Sequence, residues 1–579
     1  MNGPKLIAAR IAIYLIVSTS LFEGGAVQAQ ETLRLEAEEA ELTGVAVGIS
    51  TPGYSGTGYV EGFDNSGDQV RFTFTIDPGL YSIYIGFSTP YGEKGYGLSI
   101  NGIETGSIFP ATEGQFAEIH SGKIILNEAE NEAVVTNGWG WFFLDYIEFV
   151  PAVVSLPSAP PDELTDPGAL PSSQEVFDYL VNIYGTRILS GQQSLSDIAY
   201  IESVTGKTPA IGSFDLIDYS VSRQEHGAVP LETTEEMIAW QKSTGGLVNI
   251  CWHWNAPADL IDEPGQEWWR GFYTSATTFD LQAALSDTTS WRYRALLRDM
   301  DVIANELRKF YNEGIPVLWR PLHEASGGWF WWGAKGQDAY RKLWKIMYDR
   351  YTNHFGLHNL IWVSTHLDYD WYAGDDYVDV VGLDIYTSPG SPMSAQWEDD
   401  QVHFNGRKLI ALSESGTIPI PRNVIDYGTW WSWFSIWSGE FPHEMGDEIL
   451  QAVYHDTIIV TADELPEWDW DIPEPLDEFE VHDPDAPIEY PTVIAHSRSG
   501  SSAKVFPNPV SGILYVTHCQ DYNTLELIEM TGRILLSKEL QNLSRMELDL
   551  SERAGGIFLL RMILPDGTAD TFMIVKTDH

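Results

Sequence analysis

Hydrophobic and polar positions change rhythm several times along the chain, and each rhythm predicts a different architecture. From 30 to 152, runs such as "VRFTFTID", "YSIYIGFS" and "AEIHSGKIIL" alternate with period two and are cut by Gly, Asn and Pro turns, the signature of an antiparallel β-sandwich. The Pro-rich stretch 153–171, "VVSLPSAPPDELTDPGALP", reads as a linker. Between 172 and 462, strand-like runs alternate with helical patterns: "TRILSGQQ", "TPAIGSFDL", "GLVNICWHW", "IPVLWRPLHE", "NLIWVSTH", "VDVVGLDIY", "KLIALSESG" and "WWSWFSIWSG". Most are too apolar for either face to meet water, which suits the eight parallel strands of a (β/α)8 TIM barrel. The chain then turns acidic, and "DELPEWDWDIPEPLDEFEVHDPDAPIEY" has no Lys or Arg, so 463–502 reads as a solvated acidic linker. Short strands return over 503–579, around "VFPNPVSGILYV" and "GIFLLRMILPDGTADTFMIV". The expected fold is therefore multidomain, a central (β/α)8 barrel between an N-terminal jelly-roll-like β-sandwich and a small C-terminal one.

The first 29 residues follow another pattern. Lys5 and Arg10 precede the apolar run "IAIYLIVSTSLF" and the small-residue exit "AVQA", which reads as a secretory signal peptide cut near Ala29. The run is too short to span a bilayer, and no later segment reads as a span, so a secreted or cell-surface protein without a transmembrane segment is expected once the signal is removed. Two cysteines, Cys251 and Cys519, fall in different predicted domains and imply no disulfide framework.

Charge and composition narrow the partner. The chain has 33 basic and 83 acidic residues, a formal charge of -50, which argues against a nucleic-acid backbone because phosphate binding relies on clustered Lys and Arg. A neutral polymer is indifferent to that charge. The 22 Trp and 27 Tyr add a weak hint of aromatic platforms for sugar rings, although large cores use the same residues.

Candidate chemistry sits at the C-terminal ends of the eight runs, the rim where barrel active sites are built: Gln192, Asp215, His253, Glu324, His366, Tyr386, Glu414 and Trp437. Glu324 closes the fourth run and Glu414 the seventh, so both side chains can reach across the mouth. Two such carboxyls, one protonated and one ionised, are what retaining glycoside hydrolysis needs. A lone Glu at a strand end is more often a solvated rim residue; two in register with the barrel count reverse that reading.

"RPLHEASGGWFWWG", "GDDYVDVVGLDIY" and "LSESG" together resemble glycoside hydrolase family 26, a (β/α)8 family of clan A dominated by endo-β-1,4-mannanases. The resemblance implies a secreted retaining endo-β-1,4-mannanase acting on β-mannan polysaccharide or oligosaccharide, with Glu324 as general acid/base, Glu414 as nucleophile and no cofactor for catalysis. It further implies that His253, His323 and Trp329 line the cleft, that Tyr386 hydrogen-bonds the nucleophile, and that Trp437 forms the floor beneath the sugar in the −1 subsite. Two positions depart from the family: Ala325 and Ser326 stand where many members have Met-Asn, and Ser438 stands where some have an Arg that grips the −2 sugar. A β-glucanase or β-1,3-xylanase of the same family, and a surface polysaccharide-binding protein without catalysis, are the alternatives.

The flanks resemble known modules too. "LRLEAEEAEL" through "NGWGWFFLDYIEFV" is similar to carbohydrate-binding modules of family 35, which implies a structural Ca2+ held by Glu36, Glu38 and Asp145 and a sugar site at Asn137 and Trp139. The "WGWFF" stretch can equally supply core. The C-terminal piece, with "TGRILL" and "LSERAGGIFLLRM", resembles the sorting domain of type IX secretion, which implies the type IX machinery as partner.

Overall fold

The structure is a computed structural model that describes residues 31–104, 106–365, 368–485, 503–529, 534–540, 543–551, 553, 555–565 and 569–577. The expected signal peptide, His366 and the second part of the acidic stretch, 486–502, lie outside the described residues. The chain divides into two compact units, Met1–Thr288 with Ala295–His482, and Thr289–Arg294 with Asp483–His579.

In the first unit, eight parallel strands close a barrel: β1 (Gly191–Gln193), β2 (Ile211–Asp215), β3 (Leu247–Cys251), β4 (Val317–Arg320), β5 (Leu360–Thr365), β6 (Val380–Ile385), β7 (Leu409–Ser415) and β8 (Phe434–Ile436). One barrel strand falls in each of the eight apolar runs. Every residue of β3, β4 and β5 is buried, as strands covered by helices outside and side chains inside must be. The first run is split, and Ile188–Leu189 pairs with Ile459–Val460 before β1 begins.

Strand β7 does not pair evenly. Its register with β6 shifts between Leu383 and Asp384, so that Asp384 stands opposite Glu414, and its register with β8 shifts between Leu412 and Ser415. A bulge re-aims a side chain at the cost of ladder regularity, and here both shifts fall at the strand's glutamate.

The N-terminal sandwich packs two antiparallel sheets over a core that includes Phe63, Phe72, Ile85, Leu98, Phe142 and Phe149. Its strand Ala117–Leu126 docks on the barrel helix Ser394–Phe404. The buried Lys123 ammonium pairs with Glu398, the same carboxylate takes His120 Nε2 at 3.0 Å, and the Lys123 backbone N–H donates to Ser394 Oγ at 2.7 Å. Burial resists charge on His120, but Asp399 and Glu398 outweigh it and hold its pKa up at about 9.

The acidic stretch is not a free linker over its first half. After a short 3-10 turn at Ala462–Glu464, residues 465–482 lie on the barrel without regular secondary structure. Asn305 donates to Phe479 O and accepts from its N–H, Asn312 does the same with Leu476, and Asp301 accepts from His482 N. Trp468 and Trp470 stack on each other and pack against the barrel core. Acidic composition identified solvated side chains, but it could not show that the backbone is satisfied by a neighbouring helix.

In the second unit, two antiparallel sheets share a core of residues such as Leu514, Leu527, Leu548, Leu560 and Ile574. Both cysteines are buried and unpaired. Among the described residues no helix is long and apolar enough to cross a membrane.

Candidate active site

Glu324 lies four residues beyond the end of β4, in a left-handed backbone conformation at φ 54°, a geometry uncommon for a residue with a side chain of this size. Its carbonyl accepts the Gly327 N–H at 3.0 Å, and its Oε2 accepts the Trp329 indole N–H at 2.9 Å. Glycine is needed at 327 because a Cβ there would come within 2.1 Å of the Trp329 ring. The four aromatics that follow split by role. Trp329 is 43% exposed, whereas Phe330, Trp331 and Trp332 are buried, with Trp331 donating to Trp254 O and Trp332 to His323 O.

Oxygens of Glu324, Asp384 and Glu414 all lie within 4.8 Å of one another. One fully buried cation serves them: Arg320 donates to Asp384 Oδ2 at 2.7 Å and to Glu414 Oε2 at 2.5 Å. Tyr386 donates its phenol to Glu414 Oε1 at 2.6 Å, so both oxygens of Glu414 are occupied by donors. Three carboxyls around one guanidinium favour a shared proton. Burial first, and the charge of Glu414 second, push the Glu324 carboxyl up, with Arg320 opposing. Burial and the same Glu414 charge drive the Tyr386 phenol up, which keeps it a donor.

The histidines form a second array. Asp215, at the end of β2, accepts from the His253 backbone N–H at 3.0 Å and pairs with His253 Nδ1 at 2.7 Å. His253 Nε2 lies 3.1 Å from His323 Nε2, and Trp437, partly exposed, sits 5.6 Å from the His253 ring centre to centre. Glu324, Glu414, His253, His323, Trp329, Tyr386 and Trp437 thus share the barrel mouth. Gln192 is fully buried, and its amide nitrogen donates to Gln193 O and Ile436 O, tying β1 to β8. Arg320 and Asp384 were not singled out by the sequence reading, although both stand inside the quoted motifs. The signal that could have found them is charge inside otherwise apolar β-runs, which is costly unless paired.

The two expected sites of the sandwich also take shape. Ser55 N–H donates to both oxygens of Asp145 at 3.0 Å, Ser55 Oγ donates to Glu36 at 2.6 Å, and Thr57 and Gly58 N–H groups donate to Glu38 Oε1. Glu38 Oε2 is buried with no hydrogen-bond partner, and burial, followed by the Glu36 and Glu38 charges, pushes Asp145 up to about 6. On the loop Asn137–Trp141, Trp139 and Trp141 are both more than half exposed, with Lys94, Asp64 and Ser66 beside them. The Trp139 ring lies on Gly95, where a Cβ would meet it at 2.3 Å. Asn137 is half-buried and lines the same pocket as the two indoles, its side chain donating to Asn65 O and accepting from Gly140 N–H. Phe142 stacks on Phe63 in the core. The "WGWFF" stretch therefore supplies both surface and core, and Trp141 is the exposed ring the sequence reading passed over.

Three family models match the chain: Glycosyl hydrolase family 26 over 165–464, Carbohydrate binding module (family 35) over 33–152, and Secretion system C-terminal sorting domain over 504–576. A mannan endo-1,4-beta-mannosidase of Thermothelomyces thermophilus is 41% identical over 75% of this chain and 90% of its own. Mannan endo-1,4-beta-mannosidase B of a Piromyces species is 33% identical over 74% of this chain and 77% of its own. Among solved structures, the Podospora anserina GH26-CBM35 β-(1,4)-mannanase is 39% identical, covers 76% of this chain and 99% of its own, and has a TM-score of 0.56.

Proposed function

The chain belongs to glycosyl hydrolase family 26, and on that footing we propose that it cleaves β-1,4-mannan internally with retention of anomeric configuration, using Glu324 and Glu414. It is an exported enzyme, a mannan endo-1,4-β-mannosidase with a family 35 carbohydrate-binding module and a type IX sorting domain. Hydrolases of this family need no catalytic cofactor.

The observation that supports the residue roles is the short span between the carboxyls of Glu324 and Glu414, within 4.8 Å oxygen to oxygen. Retaining enzymes hold the two groups roughly 5 Å apart, whereas inverting ones leave room for a water at roughly 6.5–9.5 Å. Glu324, the group pushed toward its protonated form, gives its proton to the glycosidic oxygen as that bond breaks. Glu414, whose two oxygens accept from Arg320 and from the Tyr386 phenol, forms an ester with the sugar's anomeric carbon. In the second half, Glu324 takes a proton from water as the water oxygen attacks that carbon and releases Glu414. His253, His323, Trp329 and Trp437 wall the −1 sugar, while Trp139 and Trp141 offer stacking faces for polymer on the sandwich.

Reducing-sugar release from mannan, mixed-linkage β-glucan and β-1,3-xylan tests this reading. Mannan should be the productive substrate, and Glu414→Ala should lower turnover by several orders of magnitude while mannan binding persists. Hydrolysis of glucan or xylan without mannan, or a normally active Glu414→Ala enzyme, would overturn it.

In the sandwich, the oxygen-rich set Glu36, Glu38 and Asp145 fits Ca2+, because Ser55 bridges Glu36 and Asp145 while the buried Glu38 Oε2 accepts from no donor. Calcium there would hold the N-terminal strand to the last one. Adding a chelator should lower the sandwich's unfolding midpoint; an unchanged midpoint removes the ion from the proposal.

A further inference from the structure

Asp215 has no part in the double displacement, yet it makes three hydrogen bonds at the edge of the cleft. Its Oδ1 accepts from the backbone N–H groups of His253 and Ile217, at 3.0 and 2.9 Å, and its Oδ2 meets His253 Nδ1 at 2.7 Å. A carboxylate only accepts, so the His253 ring carries a proton on Nδ1. The far ring nitrogen of His253 then shares a proton with His323 Nε2 across 3.1 Å. The two rings stand 4.4 Å apart at 78°, boxed by Phe330. Asp215, His253 and His323 form a chain that ends on the residue adjoining Glu324.

We propose that Asp215 is a positioning residue for the reaction: it fixes the orientation and proton arrangement of His253, and through His253 those of His323. This rests on the assignment of the cleft given above. The groups facing the His253 ring are Asp215 from β2, Arg320 and His323 from β4 and the turn after it, and Glu414 from β7. Burial resists charge on His253, but Asp215 outweighs it and the net direction is up. For His323, burial, Arg320 and His253 all press down. The pair therefore carries its extra proton on His253, where the positive charge also faces Glu414. The arrangement parallels the carboxylate–histidine unit of serine proteases, in which exchanging the Asp for Asn leaves geometry intact but selects the wrong tautomer.

The test is Asp215→Asn in the full chain. The group whose pKa is raised keeps its proton below that value and loses it as pH rises, so removing the Asp215 charge should move the alkaline limb of kcat/KM to lower pH. The drop in kcat should be about 10- to 100-fold, with KM within about threefold, as expected for an interaction used in the transition state. A folded Asp215→Asn enzyme with wild-type kcat and pH profile overturns the proposal. Should that variant fail to fold, 15N-histidine spectra of the wild-type protein decide, with the His253 signal identified by its loss in His253→Gln: protonated Nδ1 supports the chain, and bare Nδ1 overturns it. Glu324→Gln serves as the separate control, since full activity there would sink the cleft assignment while leaving the histidine spectra unaffected.

Discussion

Two regions of the chain present indoles where sugar is expected, and they are built on opposite principles. At the barrel mouth, Trp329 is tied to a carboxyl that shares a cluster with Asp384, Glu414 and the buried Arg320. On the sandwich loop, Trp139 and Trp141 are held by backbone hydrogen bonds and a ring contact: Trp139 N–H donates to Gly95 O, Trp141 N–H to Phe63 O, and Tyr91 lies edge-on to Trp141 at 6.0 Å. The difference follows from what each must do. Adhesion needs apolar area and a rigid ring, and the loop supplies both without burying charge. Acid–base chemistry needs a proton held at an unusual pKa, which requires burial and close charges.

The sharpest way to break the comparison is to remove the fully buried cation at the barrel mouth, Arg320. Arg320→Met leaves Asp384 and Glu414 buried without their counter-charge, which should destabilise the barrel by roughly 3–5 kcal/mol and abolish most turnover. Thermal unfolding checks it, and a midpoint equal to wild type would show that the cluster does not depend on Arg320. No single substitution on the sandwich loop should cost as much.

Smaller effects should differ in kind. The Trp329 N–H favours the ionised form of Glu324, so Trp329→Phe should raise the Glu324 pKa further and move the alkaline limb of kcat/KM upward, opposite to Asp215→Asn. A downward or absent shift would count against that hydrogen bond. Trp139→Ala and Trp141→Ala should leave the pH profile alone and weaken retention on mannan by about 1 kcal/mol each, typical of one aromatic contact. Equal binding by both variants and wild type would place the sandwich's sugar site elsewhere.

Much of the barrel was legible because its strands are buried on both faces. Runs such as "GLVNICWHW" and "NLIWVSTH" have no amphipathic alternative, and each contains one strand. Glu324 and Glu414 were legible as carboxyls closing such runs. Arg320 and Asp384 were harder, since a buried charge is recognisable as useful only when its partner is known, and theirs come from other strands. The acidic stretch misled for a related reason: composition reports on side chains, while Asn305 and Asn312 hold its backbone.

The sequence by itself determined the order of domains, the count of barrel strands and the two glutamates, because hydrophobic period and residue chemistry are local properties. Only the tertiary structure decided what surrounds those glutamates. The register shifts that bring Asp384 opposite Glu414, the guanidinium shared between them, and the Asp215–His253–His323 chain each join residues from different strands. No local pattern specifies such pairings; closure of the barrel does, by burying charges that are stable only when they meet.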